Sequence, residues 1–300
     1  MAGSCPQCGS PLEDARTCRA CGWAETATYR PSNYWERMHQ IGGLTGVAAP
    51  SLPETMNHWF YVNWGRRLNQ FVAKHRLHPR TVFDIGAGTG FWVDWWLDHG
   101  AETVAGCDLV PLAVDRLRER LGPGFSVLDV SAQPIPGTYD LVSVMNVLLH
   151  ITDAEAFARA LANVAAAVAP GGYLVLMEPL VQGPGGSLVT TPDANSLARP
   201  VLAYVAPLEA AGLELVSLEA STAIGSDPIE KGRRSYRVWR AYWDLMQRGT
   251  RKFPCVVPVV GRFMCVVDPV LLRFGAAPSE KFVLLRRPNA ADEPAPATAK

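Results

Sequence analysis

The sequence has no excess of either charge and no long uncharged apolar run. Its 300 residues carry 28 Lys and Arg and 28 Asp and Glu, so the formal net charge is +0. A balanced chain is not expected to coat nucleic acid, although a local basic patch is compatible with the balance. The longest apolar stretch, residues 253–275, is interrupted by Arg262, Asp268 and Arg273. Because a bilayer span needs roughly 20 apolar residues with few charges, we predict no transmembrane segment.

The N-terminus also lacks a secretory signal, since MAGSCPQCGS has neither a charged region nor an apolar one. The seven cysteines are an odd number, which is a poor basis for a disulfide framework. We therefore expect a cytoplasmic, reducing compartment. Apolar residues make up 48% of the chain, which excludes a wholly disordered protein. The length predicts one large domain with an appendage.

Four cysteines form two C-x2-C pairs near the N-terminus, at Cys5, Cys8, Cys18 and Cys21. Two such turns bring four thiolates to one tetrahedral ion, which predicts a zinc-ribbon-like module over residues 1–26. Four protein ligands leave no open coordination position, so the Zn²⁺ is expected to be structural. The alternative is four unligated thiols.

Apolar segments of strand length alternate with helical segments after residue 79. We predict helices over 91–99, 111–121, 154–168 and 196–211, with Asp153 as the N-cap of the third. We predict strands over 81–85, 103–107, 125–129, 139–145, 172–177, 213–218 and 281–286. Such alternation is typical of βαβ units, so the fold class is α/β with a parallel sheet.

A glycine-rich segment, VFDIGAGTG at 82–90, ends the first predicted strand. Its glycines Gly86, Gly88 and Gly90 lie where a parallel sheet binds ligands, outside the carboxyl ends of the strands. Asp84 precedes them, and Asp108 ends the second strand, where its carboxylate can accept both hydroxyls of a ribose. This spacing by itself permits either NAD or S-adenosylmethionine.

The nicotinamide fingerprint is not matched, because it requires glycine at the position of Phe91. The segment DIGAGTG instead resembles the first motif of the class I S-adenosylmethionine-dependent methyltransferase family. Three further segments are similar to later motifs of that family, namely LDV at 128–130, YDLVSVMNVLLHI at 139–151 and PGGYLVLMEP at 170–179. The resemblance covers about residues 57–219 and returns at the last strand.

This resemblance implies a Rossmann-like, doubly wound, seven-stranded sheet whose last strand is antiparallel. It implies S-adenosyl-L-methionine as cofactor, with Asp108 on the ribose and Asp129 on the adenine amino group. The implied cofactor-binding residues are Tyr61, Arg66, Asp84, Gly86, Gly88, Gly90, Asp108, Leu109, Asp129, Val130 and Asn146. For Tyr61 and Arg66 the alternative is simple packing of an aromatic helix.

Three residues near the predicted strand ends are candidates for catalysis. His150 resembles a histidine at the active-site mouth of many family members, although a helix-cap or core histidine is the alternative. Asn146 is a candidate for contacting the methionine portion of the cofactor or the acceptor. Glu178 could face the acceptor or pair with a nearby Arg. A general base is needed when the acceptor is a hydroxyl.

The family usually joins its last two strands by a short turn, whereas about 60 residues intervene here. We predict that residues 220–280 form an inserted substrate lid. Residues 231–252 contain eight Lys or Arg and one acid, Asp244, a local net charge of +7. Substrate contacts are predicted for Arg233, Tyr236, Arg237 and Trp239. The open interpretations are a solvated basic face, a site for an anionic acceptor, and a nucleic-acid or membrane surface.

The resulting hypothesis is a methyltransferase that modifies oxygen or nitrogen of a small molecule, with an anionic compound, a sugar or a specialised metabolite as candidate acceptors. Nucleic acid is disfavoured as a partner, peripheral membrane contact stays open, and the oligomeric state is undetermined. The alternatives are an RNA-modifying methyltransferase with a zinc module and a cofactor-binding assembly protein. The predicted division is a zinc module (1–26), a helical cofactor lid (27–78), the core (79–219), the inserted lid (220–280), the last core strand (281–288) and a disordered tail (289–300).

Overall fold

The structure, a computed structural model, describes residues 30–181, 188–189, 195–226, 232–274 and 279–289. The side chains of residues 188–189 and 232–236 fall outside that description. The predicted zinc module, with its ligands Cys5, Cys8, Cys18 and Cys21, and residues 290–300 of the predicted tail also lie outside the described residues.

Eight α-helices occur in the described ranges, together with short 3-10 turns at Leu44–Gly46, Leu148–His150 and Pro254–Val256. The helices are α1 (Pro31–Ile41), α2 (Glu54–His75), α3 (Phe91–Asp98), α4 (Pro111–Leu121), α5 (Ala154–Ala166), α6 (Val201–Ala210), α7 (Gly232–Lys252) and α8 (Val257–Arg273). The predicted cap of α5 is confirmed, since Asp153 accepts the N–H of Ala156 at 2.8 Å.

Nine strands occur in the same ranges and form one sheet. They are β1 (Thr81–Ile85), β2 (Thr103–Asp108), β3 (Phe125–Val127), β4 (Tyr139–Met145), β5 (Val168–Val181), β6 (Leu188–Val189), β7 (Leu197–Pro200), β8 (Glu214–Ala220) and β9 (Glu280–Arg286).

The principal strand order is β3-β2-β1-β4-β5-β9-β8, as the hydrogen-bonded pairs show. Strands β1 to β5 pair in parallel, and β9 is antiparallel to both β5 and β8. The predicted Rossmann-like α/β fold with an antiparallel last strand is confirmed. The order reverses at β1 and β4, so the carboxyl ends of these strands border the crevice in which such sheets bind ligands.

The sheet has two short strands that the sequence pattern did not predict. β7 pairs in parallel with the far end of β5, and β6 pairs antiparallel with β7. The predicted helix over 196–211 was therefore wrong at its start, where residues 197–200 are a strand. Pro200 explains the difference, because a residue before proline, here Arg199, is driven into extended conformation.

The inserted segment contains α7 and α8, and both helices pack on α2. Their buried side chains form a cluster separate from the core of the sheet, made up of Leu52, Met56, Phe60, Met246, Val257 and Met264. Asp268 of α8 is buried and accepts the N–H groups of Ala223 and Ile224, both at 2.8 Å. By length and composition alone, residues Pro254–Arg273 could also cross a membrane, with a mean hydropathy of 2.0.

Two helical glycines provide a matched test of how α8 packs on α2. A Cβ at Gly261 would overlap the indole of Trp59, whereas a Cβ at Gly249 would meet nothing within 4 Å. We expect Gly261→Ala to lower the melting temperature, since overpacking costs about 1–3 kcal/mol. Gly249→Ala should raise it slightly, because alanine favours a helix by roughly 0.5–1 kcal/mol. Thermal unfolding followed by circular dichroism measures both, and equal shifts would contradict the close contact.

Candidate functional site

The glycine-rich loop between β1 and α3 forms the floor of the site. Gly86, Gly88 and Gly90 have φ values of 68°, 53° and 83°, which side-chain-bearing residues rarely adopt. A Cβ at Gly86 would press on Val147, and one at Gly90 would overlap the side chains of Leu117 and Arg120. The loop is thus fixed by close packing in a conformation that only glycine adopts without strain.

Asp108, at the end of β2, holds this loop in place. Its Oδ2 accepts the N–H of Gly88 and its Oδ1 accepts the N–H of Val110, both at 2.9 Å. The Nε2 atom of His39 lies 3.8 Å from Oδ1. Burial lowers the pKa of His39, and the Asp108 carboxylate partly opposes that change. Nothing in the sequence around His39 pointed to this contact, because α1 reaches the site only through tertiary packing.

Asp129 follows β3 at the same edge of the sheet. Its Oδ1 accepts the N–H and the hydroxyl of Ser131 at 2.9 Å and 2.6 Å. The side chains of Leu128 and Val130 beside it are buried. This part of the site therefore combines a carboxylate with apolar surface, which suits a flat heterocycle that carries a polar edge.

A cavity of about 380 Å³ lies over the glycine loop. Nine of the predicted site residues line it, namely Tyr61, Gly86, Gly88, Asp108, Leu109, Asp129, Val130, Asn146 and His150. Three predicted cofactor residues, Arg66, Asp84 and Gly90, are not among its lining. Residues that were not predicted, including Trp35, His39 and Val47 from the N-terminal segment, complete the wall.

Arg66 is placed differently from its predicted partner Tyr61. Tyr61 is buried, whereas Arg66 is exposed on α2. Five residues correspond to roughly 140° around a helix with 3.6 residues per turn, so the two side chains leave opposite sides of α2. The geometry gives Arg66 no contact with the cavity.

Asp84 lies beneath the glycine loop and is 1% exposed. Neither of its carboxyl oxygens forms a hydrogen bond of normal geometry with the described part of the chain. Burial raises the pKa of Asp84 to about 7, the Asp108 charge adds to this, and the Ser143 hydroxyl opposes it only in part. The carboxyl group is therefore half-protonated near neutral pH.

This carboxyl group makes the stability of the fold depend on pH. The folded chain retains the Asp84 proton up to about pH 7, whereas an ordinary Asp loses it near 3.8. Wild-type stability should therefore fall as pH rises across that window, and the neutral isostere Asp84→Asn should gain stability relative to wild type. Melting temperatures measured across this pH range test the difference. The exposed Asp98→Asn is the control, and a pH-independent difference for Asp84→Asn would rule out the raised pKa.

Asn146 occupies a strained position at the end of β4. Its φ is 59°, a left-handed value that is uncommon for residues other than glycine. Its backbone N–H donates to the carbonyl of Met177 at 2.7 Å, and its Nδ2 donates to Oε1 of Glu280 at 2.8 Å. Such strain is retained where surrounding contacts fix it, as they do at many functional sites.

Two further cavities adjoin the first, and Asn146 lines all three. The second, of about 470 Å³, has walls rich in aromatic rings, namely Tyr34, Trp35, Tyr61, Trp64, Trp92 and Trp243. The third cavity has a volume of about 310 Å³, and Glu280 is one of the residues that line it. We call the second and third cavities together the aromatic chamber. No Lys or Arg belongs to the described lining of any of the three cavities.

Glu280, the first residue of β9, is a site residue that sequence reasoning missed. Its Oε2 accepts the hydroxyls of Ser221 and Thr222 at 2.8 Å and 3.2 Å, while Oε1 accepts from Asn146. Burial raises the pKa of Glu280, and these hydrogen bonds oppose the increase. No motif surrounds Glu280, and its partners lie far away in sequence, so only the folded chain reveals it.

His150 borders both the first cavity and the aromatic chamber. Its Nδ1 lies 2.6 Å from the carbonyl oxygen of Asn195, and its ring meets the edge of Trp35 with centroids 4.7 Å apart. Burial lowers the pKa of His150 to about 4, so the ring is neutral at neutral pH. Because its carbonyl contact requires a proton on Nδ1, the acceptor nitrogen of the neutral ring is Nε2.

Glu178 lies outside the lining of these cavities and is completely buried. Its carboxylate accepts the N–H groups of Val147, Leu148 and Leu149 at 2.9, 2.8 and 3.0 Å. Burial raises its pKa to about 7, whereas the three N–H bonds and the Arg199 charge lower it. Its contacts are those of a group that positions the loop, which differs from the predicted contact with the acceptor.

Arg199 binds the backbone carbonyl groups of the same loop. It donates to the carbonyl oxygens of Leu148 and Ile151, and its guanidinium lies 3.9 Å from the ring centroid of Phe157. Glu178 and Arg199 thus bind the donors and acceptors of the turn that carries His150. We call this pair the loop clamp.

The predicted substrate residues of the insertion are placed unequally. Arg237 is exposed, and the side chains of Arg233 and Tyr236 lie outside the described residues. Trp239 stacks on Trp243 with ring centroids 5.3 Å apart, and it is Trp243 that lines the aromatic chamber. The described side chains Arg237 and Trp243 of α7 therefore lie at different surfaces, the first at the solvent and the second at the chamber.

The described ranges contain no group of three or more His, Cys, Asp or Glu side chains suited to a metal ion. The four predicted zinc ligands lie outside these ranges.

Part of the chain is similar to known proteins. Residues 82–172 match a family model described as a methyltransferase domain. A ubiquinone biosynthesis O-methyltransferase of Pseudomonas paraeruginosa is 30% identical over 135 residues, covering 38% of this chain and 56% of the relative. A ribosomal protein L11 methyltransferase of Geotalea uraniireducens is 36% identical over 109 residues, covering 35% and 32%. The chain thus spans about half or less of these curated relatives.

A solved structure supports the fold. The N-methyltransferase NodS of Bradyrhizobium japonicum WM9, in complex with S-adenosyl-L-homocysteine, aligns with a TM-score of 0.51 at 13% identity. The alignment covers 86% of this chain and 100% of that one, and at this identity it shows the fold alone. Residues 82–172 are therefore similar to a methyltransferase domain, and the described fold aligns with that of a solved methyltransferase.

Proposed function

We propose that this protein is an S-adenosylmethionine-dependent methyltransferase that modifies an oxygen or nitrogen atom of a small molecule. The observation that carries the proposal is the juxtaposition of two spaces. The cavity over the glycine loop shares Trp35, Asn146 and His150 with the aromatic chamber. One space has the size and polarity for a nucleoside cofactor, and the adjoining one is suited to an acceptor.

The first cavity fits the cofactor by the chemistry of its walls. Asp108 and Asp129 supply carboxylates for ribose hydroxyls and an exocyclic amine, and Leu109 and Val130 supply apolar surface for the purine. When bound, S-adenosylmethionine supplies an electrophilic methyl group. The backbone at Gly86 and Gly88 allows close approach, and Asp108 keeps that loop in the required conformation.

The aromatic chamber indicates which acceptors suit the site. Its walls are aromatic, its buried acidic group is Glu280, and its described lining contains no Lys or Arg. The geometry thus supports an uncharged or cationic acceptor, such as a phenol or an amine, better than the anionic acceptor that the positive charge of residues 231–252 suggested. His150 can accept a hydrogen bond from such a nucleophile through Nε2, and Asn146 can orient it.

Two further parts of the predicted division belong to this proposal. Residues 27–78 would act as a cofactor lid and residues 220–280 as a substrate lid over the 79–219 core, with the last core strand at 281–288. Tyr61 of α2 and Trp243 of α7 border the cavities from these segments. Closing them over the site would exclude water from the transferred methyl group.

A labelled-methyl assay tests the proposal. Purified protein with S-adenosylmethionine should methylate members of a panel of phenols and amines, and their carboxylated analogues should react at least about tenfold more slowly. Cofactor binding without turnover on any acceptor class would favour the assembly protein. RNA affinity in the submicromolar range that falls steeply with salt would favour the RNA-modifying alternative.

We also propose that Cys5, Cys8, Cys18 and Cys21 hold one structural Zn²⁺. Metal analysis should find one zinc per chain in wild type and in the exposed-thiol control Cys255→Ser. Cys5→Ser should lose the zinc and destabilise the N-terminal module while cofactor binding persists. Zinc retained in Cys5→Ser would overturn this ligand set, and loss of cofactor binding would show that the module is built into the core.

A further inference from the structure

The insertion exposes an unusual amount of apolar surface. Of the seventeen large apolar side chains exposed in the described ranges, eleven fall between residues 238 and 274. They are Val238, Tyr242, Leu245, Phe253, Val256, Val259, Phe263, Val266, Val270, Leu271 and Phe274. Monomeric proteins seldom leave such a patch uncovered, because each exposed apolar group orders water at a free-energy cost.

On α8 this surface is a continuous stripe. Val259, Phe263, Val266 and Val270 are 67%, 65%, 67% and 49% exposed, and Phe274 continues the stripe at 84%. Steps of four and three residues keep them on one side of the helix. The opposite side of α8 is already packed against α2 and against the segment that contains Ala223. The packed residues include Gly261, Met264 and Asp268. Within the part of the chain that the structure describes, helix α8 is therefore apolar on two sides, and one of them packs against other elements.

Basic side chains flank the apolar surface. Seven exposed cations lie on α7, α8 and their connection, at Arg237, Arg240, Arg248, Arg251, Lys252, Arg262 and Arg273. The described acids in this region are Asp244, which is partly buried, and Asp268, whose carboxylate is buried and bound to two backbone N–H groups. We call α7, α8 and their connection the α7–α8 hairpin. Among its described side chains, the exposed charge is thus almost entirely positive.

We propose that the α7–α8 hairpin docks onto an anionic lipid surface, with the Val259–Phe274 stripe entering the interface. Apolar side chains bordered by Lys and Arg are the composition of helices that lie in a membrane interface rather than across it. The packing of α8 on α2 favours a helix that lies in the plane of the interface, because the face of α8 opposite the stripe is already covered by the protein. A second copy of this chain fits less well, since two faces with the same positive charge repel each other. The docking is independent of the proposed methyl transfer.

Vesicle flotation of the purified full-length chain tests this inference. Wild type should bind vesicles made of equal parts phosphatidylcholine and phosphatidylglycerol, and should bind phosphatidylcholine alone weakly. Phe263→Glu combined with Val266→Glu should reduce the bound fraction about tenfold or more, because charged groups replace inserted apolar ones. The matched control is Ile41→Glu combined with Leu202→Glu, at positions 58% and 72% exposed elsewhere on the fold. It should bind as wild type does.

A charge pair separates the electrostatic contribution. Arg248→Glu with Arg251→Glu should weaken binding to the anionic vesicles about tenfold or more, since each cation near such a surface contributes to binding. Arg37→Glu with Arg76→Glu, exposed outside the hairpin, changes net charge equally and should have little effect. The inference is overturned when wild type does not bind anionic vesicles, or when the Phe263→Glu, Val266→Glu variant binds them as wild type does. It is equally overturned when the stripe variant only converts a dimer into a monomer in analytical ultracentrifugation.

Discussion

Asp108→Ala should lower the affinity for S-adenosylhomocysteine by more than tenfold. The variant removes the carboxylate proposed to bind the ribose, and hydrogen bonds to a charged group contribute about 1.5–3 kcal/mol. It also removes the acceptor for the N–H groups of Gly88 and Val110, which hold the glycine loop in its left-handed conformation. Both losses act in the same direction, so calorimetry should record a large decrease in affinity.

The matched variants separate binding from folding. Asp115→Ala changes an exposed acid on the adjoining helix α4 and should bind the cofactor product as wild type does. Asp108→Asn retains an oxygen acceptor for one of the two N–H groups and should bind with intermediate affinity. Unchanged affinity of Asp108→Ala in a folded protein would refute the proposed nucleoside site.

Glu178→Leu should cause the largest loss of stability among these variants. Leucine leaves three N–H groups, those of Val147, Leu148 and Leu149, without their acceptor in a buried setting. Each unsatisfied group costs about 1–3 kcal/mol. The substitution would also leave the Arg199 cation without the neighbouring carboxylate. We expect the melting temperature to fall by roughly 10 °C or more.

The surface substitution Glu209→Leu is the control and should change the melting temperature little. Glu178→Gln should fall between the two, because one amide oxygen can serve only part of the three N–H groups and the amide NH₂ adds a competing donor. A direct role of Glu178 on the acceptor predicts the opposite pattern, in which Glu178→Leu melts as wild type does and loses methyl transfer. That outcome would refute the role of Glu178 in the loop clamp.

Local sequence determined the glycine-loop side of the site. The strand, the glycine turn and the following helix are contiguous, so the positions of Gly86, Gly88 and Asp108 follow from a few residues whose backbone geometry is strongly constrained. Strand periodicity likewise placed the seven principal strands, because burial on both faces of a parallel sheet leaves apolar runs. The exceptions are the short strands β6 and β7, and at β7 a proline at position 200 opposed the helical pattern.

Only the tertiary structure decided the side of the site that the aromatic chamber occupies. Glu280 meets Asn146 across 134 residues of sequence, and no local pattern records a contact of that kind. Whether Glu178 faced a ligand or the loop depended on the turn that packs over it, and Trp243 became a chamber wall only because α7 lies on α2. The sequence by itself thus determined the fold class and the glycine loop, since backbone constraints are local. The chamber, the loop clamp and the exposed stripe of α8 depend on which faces become buried, and burial is a property of the whole fold.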